Sequence, residues 1–461
     1  MKNIIVDDII RECNGKLIIG NKQEKCENFV IDSRIIKEGD IYVVINSEKR
    51  NGNIFCEEAL KKGAKGCIVN INDFEVKKLR EYEKNGKFIV QVKDTIEAVQ
   101  KLSSYKRNLY DIPVIAITGS VGKTSTKDMV ASVISQKYNV LKTEGNMNNH
   151  IGLPLTILRL KNHEALCVEM GMNHLKEISL LTNIAKPTIA IITNVGTSHI
   201  GNLGSRENIL KAKLEILEGL KENGTLIINN DNDMLNKWSK NAGIKQKIIT
   251  YGIETKSEIM PISIEQSENN SIFNIDNCKI EVPIGGIHFI YNALCAICVG
   301  KILDIPIEKI AKGIKEFELT KNRMEISKLK NGITLINDCY NANYDSMKAG
   351  LDYLGNLKNT RKIAVLGDML ELGKFSEELH IKVGEQVIKN NINILITVGE
   401  FSKMIAEKSK EKMSEVYICN NNEQAIKILC DIMKPNDTIY LKASHSMNFN
   451  EIGEKIKDYE S

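Results

Sequence analysis

The sequence has no excess of one charge. Lysine plus arginine number 63 against 59 aspartates and glutamates, a formal net charge of +4. Nucleic acid and anionic membranes both require a concentrated positive field, so neither is expected as a partner, although a local basic pocket for phosphates stays open. No run of about eighteen apolar residues is uninterrupted, so no membrane-spanning helix or insertion is expected. The opening MKNIIVDDIIREC carries acids where a secretion signal needs a basic start and an unbroken apolar stretch. A disulfide framework is missing too. The eleven cysteines are scattered and odd in number, which reads as reduced thiols in a cytoplasmic protein. Cys295 and Cys298 form a C-x-x-C, but YNALCAICVGKIL around them reads as a buried helix with no second pair nearby, so metal or redox use is not expected. Repeats and low-complexity segments are also lacking.

What is present is alternation. A chain of 461 residues exceeds what one hydrophobic core supports, and three blocks emerge. In residues 1–110, apolar runs at Phe29 to Asp32, Asp40 to Ile45, Gly66 to Val69 and Phe88 to Val92 read as strands, and Asp94 to Tyr110 as a helix leading out. Asp111-Ile112-Pro113 punctuates the chain. In residues 111–318, strands at Val114 to Thr118, Ala165 to Met170, Thr188 to Val195 and Thr225 to Asn230 are separated by helices, which argues for a mostly parallel sheet. Residues 251–287 look like a β-rich excursion, followed by a helix at Asn292. In residues 319–461, ITLIND, KIAVLGD, NILITVG, EVYIC and TIYLKAS repeat the pattern as a second doubly wound unit. The tract Glu318 to Asn322 is the expected hinge. The fold class is therefore α/β in three domains: an N-terminal α/β domain, a central parallel sheet binding a mononucleotide, and a Rossmann-like C-terminal domain.

Thr118-Gly119-Ser120-Val121-Gly122-Lys123-Thr124-Ser125 lies between a strand and a helix. That context suits phosphate: backbone N–H groups and a helix N-terminus face the anion, a lysine bridges it and a hydroxyl holds magnesium. The standard spacing would place glycine at 117, which is Ile117, so the loop is a shortened variant. ATP is the expected ligand. In open α/β sheets ligands bind beyond the carboxyl ends of the strands, which should gather Glu169, Asn194 and His199 beside this loop. Glu169 and His199 suit a magnesium site; the plain alternatives are a turn cap and a loop-packing residue.

A helix from Asn208 to Leu220 is expected to carry two lysines of different character. Lys211 has Glu207 and Glu215 four residues away, a solvated salt-bridged face. Lys213 shares its face with Ile209, Ile216, Leu217 and Leu220. Desolvation there would lower its pKa and leave a reactive neutral amine. Snorkelling, with the stem buried and the ammonium in water, is favoured by spacing alone.

T-G-S-V-G-K-T, T-E-G-N-M-N-N-H-I-G-L-P-L-T (143–156), V-E-M-G-M (168–172), N-V-G-T-S-H (194–199) and A-K-L-E-I (212–216) follow in order. With N-R-M-E (322–325), D-C-Y-N-A-N-Y-D-S-M (338–347), V-L-G-D-M-L-E-L-G (365–373) and an N-terminal D-S-R (32–34) before G-D-I-Y-V-V, the chain resembles the Mur ligases along essentially its whole length. Departures are Asn51-Gly52-Asn53-Ile54-Phe55 for the family's D-G-H-x-F, Tyr344 for a proline, and Lys442-Ala443-Ser444-His445 for K-G-S-R.

The resemblance implies a cytoplasmic, monomeric, ATP-dependent ligase of cell-wall synthesis. It would join D-alanyl-D-alanine to a UDP-N-acetylmuramoyl-tripeptide through an acyl phosphate, with the N-terminal domain holding the UDP-sugar. Gly119, Ser120, Val121, Gly122, Lys123, Thr124 and Ser125 would hold ATP, with Asn292, Arg323 and Asp338. Two Mg2+ ions would sit on Thr124, Glu169, His199 and Lys213, the last carbamylated by carbon dioxide. This reverses the order of the two readings of that lysine. Lys123, Lys213 and His199 would be catalytic. Ser33, Asn148 and Asn149 would meet the UDP-muramoyl peptide, and Tyr340, Asn341 and Asn343 the dipeptide. The alternatives are a paralogue adding lysine or diaminopimelate, a folate polyglutamate ligase lacking the D-S-R domain, and a nucleotide-switched binding protein without an acceptor.

Overall fold

The computed structural model describes residues 3–46, 51–70, 82–83 and 85–459. Three sheets in succession carry the chain. The first has five strands in the order Lys16–Ile19, Phe88–Val92, Gly66–Asn70, Ile41–Val43, Phe29–Val30, antiparallel only at its first pair. The strand expected over Phe29 to Asp32 stops at Val30. Asp32 instead accepts from the Arg34 N–H at 2.9 Å, capping the short 3-10 turn Ser33–Ile35. The exit helix Thr95–Asn108 begins where Asp94 accepts from the N–H groups of Ile96 and Glu97, satisfying donors that a helix start leaves unpaired. Near its end the buried Arg107 donates to the Ala185 carbonyl at 2.7 Å, fastening the helix to the next unit.

The central sheet has six strands, all parallel: Lys247–Tyr251, Thr225–Asn229, Ile189–Ile192, Val114–Thr118, Ala165–Glu169, Val140–Lys142. VIAIT and IAII are buried at every position, as expected for strands covered by helices on both faces. From Val114–Thr118 the chain winds first towards Val140–Lys142, then crosses to the other side. This reversal opens a crevice at the carboxyl ends of the inner strands. The excursion is a three-stranded antiparallel sheet, Ser263–Gln266, Ser271–Ile275, Cys278–Val282. Its second turn is the pair Asp276-Asn277, both at positive φ, as a two-residue hairpin turn of the mirror-image type requires. The helix Ile287–Ile302 then packs against Lys123–Ile134, with Cys295 and Cys298 fully buried and unpaired.

The third sheet runs Glu325–Lys328, Thr334–Asn337, Thr438–Lys442, Lys362–Gly367, Ile394–Val398, Val416–Cys419; the first pair is antiparallel, the rest parallel. The expected hinge tract is tied to both sides: the Thr320 hydroxyl donates to Asp128 at 2.7 Å, and the Tyr340 N–H to the Asn322 carbonyl at 3.1 Å.

One expectation fails locally. The helix over Asn208 to Leu220 is Arg206–Leu214, followed by a 3-10 turn Glu215–Glu218. Glu215 is buried and accepts from the N–H groups of Lys176 and Ser179 at 2.7 and 3.2 Å. It thus caps the start of the helix Glu177–Ala185 instead of pairing with Lys211. No ion pair joins Lys211 to Glu207 or Glu215 among the described residues. Tertiary capping has overridden a helical face that spacing alone suggested.

Candidate active site

The phosphate loop follows the central strand. Gly119 has φ +155°, and a Cβ there would lie 1.8 Å from the Thr193 hydroxyl oxygen; Gly122 has φ +81°. The Asn194 carboxamide oxygen accepts from the N–H groups of Ser120 and Val121 at 3.1 and 2.9 Å, and its amide donates back to the Val121 carbonyl. Asn194 therefore holds the turn open from the neighbouring strand end. The helix Lys123–Ile134 starts at the lysine itself, whose amine donates to the Gly119 carbonyl at 2.8 Å.

Glu169 ends the adjacent strand and is buried. Its carboxylate accepts from the Thr124 hydroxyl at 2.8 Å and from the Asn148 amide at 2.7 Å. A hydroxyl and a carboxylate oxygen side by side are the hard donors that magnesium prefers. Among the described residues no group of three histidine, cysteine or acidic side chains is placed to chelate a metal; magnesium held through one or two protein oxygens completes its shell with water and substrate phosphate.

Lys213 is 1% exposed, with no hydrogen bond or ion pair to its amine among the described residues. Burial, reinforced by the charge of Lys123, pushes its pKa well below the usual lysine value. A side chain 1% exposed does not hold its ammonium out in bulk water, as snorkelling would require. Lys123 is lowered for the same first reason, with Glu169 opposing and Arg323 adding to the shift. The Lys123 amine and the Arg323 guanidinium thus share the field of one carboxylate, Glu169, and Lys213 lies within reach of the Lys123 charge.

The C-terminal unit supplies the opposite wall. Asp338 pairs with the buried Lys442 at 2.5 Å, and Lys442 also donates to the Asn341 carbonyl. The Arg323 guanidinium stacks 3.9 Å over the Tyr340 ring, leaving its buried Nε without a partner. Asn343 caps the helix Tyr344–Asn356 and donates to the Ser198 hydroxyl at 2.6 Å; Asp345 accepts from both N–H and hydroxyl of Thr197. His199 closes the loop, its Nδ1 2.7 Å from Glu371.

These walls enclose a crevice of about 430 Å3. Ser120, Val121, Gly122, Lys123, Ser125, Asn148, Asn149, Glu169, His199, Asn292, Arg323, Asp338, Tyr340, Asn341 and Asn343 all border it. Gly119 and Thr124 join it through bonds to Lys123 and Glu169. Lys213 is not among the lining residues; what links it to the crevice is the charge of Lys123, which lowers its pKa. Ser33 also lies outside it: it is buried in the first unit and is not among the residues lining the crevice. The sequence alone did not single out Tyr291, whose hydroxyl donates to Asp231 at 2.8 Å, or His288 and Lys442, which also border the space. The first and last face the crevice from motifs otherwise recognised, but nothing in their spacing marks them.

Burial lowers the His288 pKa to about 4, with Lys442 adding and Asp338 opposing. A histidine depressed on folding contributes stability that is complete above its unfolded pKa near 6.5 and disappears as pH falls through the folded value. His288→Gln is expected to flatten the acid side of a Tm-against-pH curve between about pH 6.5 and 4, measured by differential scanning calorimetry. An unaltered slope would remove His288 from the acid transition.

Comparison with known proteins agrees with this geometry. Residues 117–300 match the Mur ligase middle domain, and residues 322–445 the Mur ligase, glutamate ligase domain. The UDP-N-acetylmuramoyl-tripeptide–D-alanyl-D-alanine ligase of Bacillus subtilis (strain 168) is 37% identical over 435 residues, 93% of this chain and 92% of its own. The enzyme of the same name from Synechocystis is 33% identical, over 93% of this chain and 91% of its own. The crystal structure of MurF from Acinetobacter baumannii superposes with a TM-score of 0.88 at 26% identity, covering 99% of both chains. MurF of Thermotoga maritima in complex with ADP gives 0.80 at 26% identity, covering 94% of this chain and 97% of its own.

Proposed function

Because the chain belongs to the Mur ligase family, we propose that its crevice carries out the ATP-dependent, ADP-forming joining of D-alanyl-D-alanine to UDP-N-acetylmuramoyl-tripeptide, the activity named for relatives matched along nine-tenths of its length. The observation that carries this reading is the convergence of the phosphate loop, the Thr124–Glu169 pair and a desolvated lysine with Arg323, Asp338 and Lys442 across one crevice. The domains divide near residues 110 and 318.

The N–H groups of Gly119 to Ser125 and the Lys123 amine hold the ATP phosphates, while Asn292, Arg323 and Asp338 hold the rest of the nucleotide. Thr124, Glu169, His199 and Lys213 would hold magnesium, which would supply neutralisation of the charge gathering on phosphate and carboxylate. Lys213 would hold the metal as a carbamate: its neutral amine would add carbon dioxide and release one proton, giving an anionic oxygen donor for the cation. The peptide carboxylate, aligned by Asn148 and Asn149, attacks the γ-phosphate to give an acyl phosphate and ADP. The dipeptide amine, seated by Tyr340, Asn341 and Asn343, then displaces phosphate through a tetrahedral intermediate. Lys123 stabilises the charge that builds at the phosphate in the first step. The two walls keep water from the acyl phosphate. Ser33 holds the UDP end, away from the chemistry.

The protein works in the cytoplasm, in keeping with eleven cysteines outside any disulfide, nine of them buried. No described helix is long and apolar enough to cross a membrane. Mass spectrometry of the product formed from ATP, UDP-muramoyl tripeptide and a mixture of D-alanyl-D-alanine, lysine and diaminopimelate tests the assignment. The expected mass is that of the pentapeptide product. Addition of a single amino acid, or ATP turnover unaffected by either substrate, would refute it.

A further inference from the structure

His199 and Glu371 are 172 positions apart in sequence, on loops of the central and C-terminal units, yet imidazole Nδ1 and carboxylate Oε2 lie 2.7 Å apart. The contact is built on both sides. The Gly201 N–H donates to the Glu371 carbonyl at 3.1 Å. A Cβ on Gly201 would approach that same oxygen to 2.5 Å and the Gly373 nitrogen to 2.7 Å, so a side chain there would push the 371–373 turn off the short helix Ile200–Leu203. Leu372 beside it is buried and anchors the turn. His199 and Glu371 both have positive φ, 59° and 63°, a conformation costing a non-glycine residue about 1 kcal/mol or more. Strain at both ends of a single contact points to a contact kept for what it does.

The direction of the hydrogen bond decides what that is. A carboxylate only accepts, so Nδ1 carries a proton, and in the neutral ring Nε2 is then the nitrogen with the lone pair. His199 borders the crevice that also holds Glu169. We propose that Glu371 is a positioning residue for the cation site: it fixes the His199 tautomer and ring so that Nε2 is the ligating nitrogen, and the site is complete only when the C-terminal domain is docked. A carboxylate behind a ligating imidazole orients the ring and raises its basicity, and losing it typically weakens metal binding about 10- to 100-fold. Domain closure and cation capture thereby become one event, assembled from groups on two domains. The inference rests on the reading of His199 as a metal ligand.

The test uses the full chain with ADP, without turnover, and follows Mn2+ binding by electron paramagnetic resonance. Glu371→Ala is expected to weaken Mn2+ about 10- to 100-fold. Glu371→Gln, whose amide oxygen still accepts from Nδ1 but carries no charge, is expected to fall between the two. ADP affinity measured without any divalent cation should stay the same in both. Mn2+ affinity in Glu371→Ala within about twofold of the unaltered protein would overturn the inference, provided His199→Ala does weaken Mn2+. Cation-free ADP binding that drops in step with Mn2+ would also overturn it, because Glu371 would then merely hold the domains together. If His199→Ala leaves Mn2+ binding intact, the ligand assignment beneath the inference fails first.

Discussion

Replacing Lys213 by alanine is expected to lower ligase activity by about 10²- to 10³-fold, while the protein melts within a few degrees of the unaltered chain. The two halves of this outcome have separate causes. The amine is buried without a partner, and an uncompensated buried ionisable group is a burden on the folded state; its loss therefore offsets part of the cavity that alanine leaves. The activity falls because the proposed carbamate would add an anionic oxygen donor to those of Thr124 and Glu169, and removing one electrostatic contributor of this kind costs about 10²- to 10³-fold. Lys213→Met, which keeps the stem and its packing, should be as inactive. Short carboxylic acids such as formate or acetate, admitted to the space left by alanine, should restore part of the activity. Bicarbonate should not, because no amine remains to receive carbon dioxide. Rates are read by phosphate release with both substrates present. Full activity in Lys213→Ala would exclude the carbamate.

The second large effect belongs to Gly119. An added Cβ would sit 1.8 Å from the Thr193 hydroxyl, which donates to the Val121 carbonyl at 2.7 Å. Gly119→Ala must therefore push apart the phosphate turn and the strand end that braces it. Overpacking and a poorly tolerated φ together are expected to cost about 3 kcal/mol, or a fall in Tm of roughly 5–10 °C for a domain of this size. ADP affinity should drop about tenfold or more, since the N–H groups no longer converge. The double variant Gly119→Ala, Thr193→Ala should recover part of the stability, because the hydroxyl is gone but the Thr193 backbone nitrogen, 3.3 Å from the added carbon, remains. A single variant that melts and binds normally would show that the turn has room the structure does not display.

The central sheet and its loop were legible because their physics is local. A run such as VIAIT followed by glycines and a lysine declares a buried parallel strand, a tight turn and a helix start within a dozen residues. Glu169 could be placed beside that loop by one rule about strand ends, and the Thr124–Glu169 bond follows. Lys213 was harder: the apolar spacing that marked it assumed a helix running to Leu220, whereas the helix ends at Leu214. The side chain is buried all the same. Glu371 was out of reach. Its partner lies on another domain, and no periodicity links residues 172 apart. Glu215 misled for a related reason, since its backbone partners at Lys176 and Ser179 outbid a side-chain neighbour four residues away.

The burial of the thiols carries a practical consequence. Only Cys278 and Cys430 have appreciable surface; Cys13, Cys26, Cys56 and Cys67 are enclosed in the first unit, Cys167, Cys295 and Cys298 in the second, Cys339 and Cys419 in the third. A sulfhydryl reagent offered to the native protein can reach the remainder only through fluctuations that open the fold around them. Each unit thus carries its own built-in clock, and the order in which the hidden sulfurs become labelled ranks the three domains by how readily each breathes.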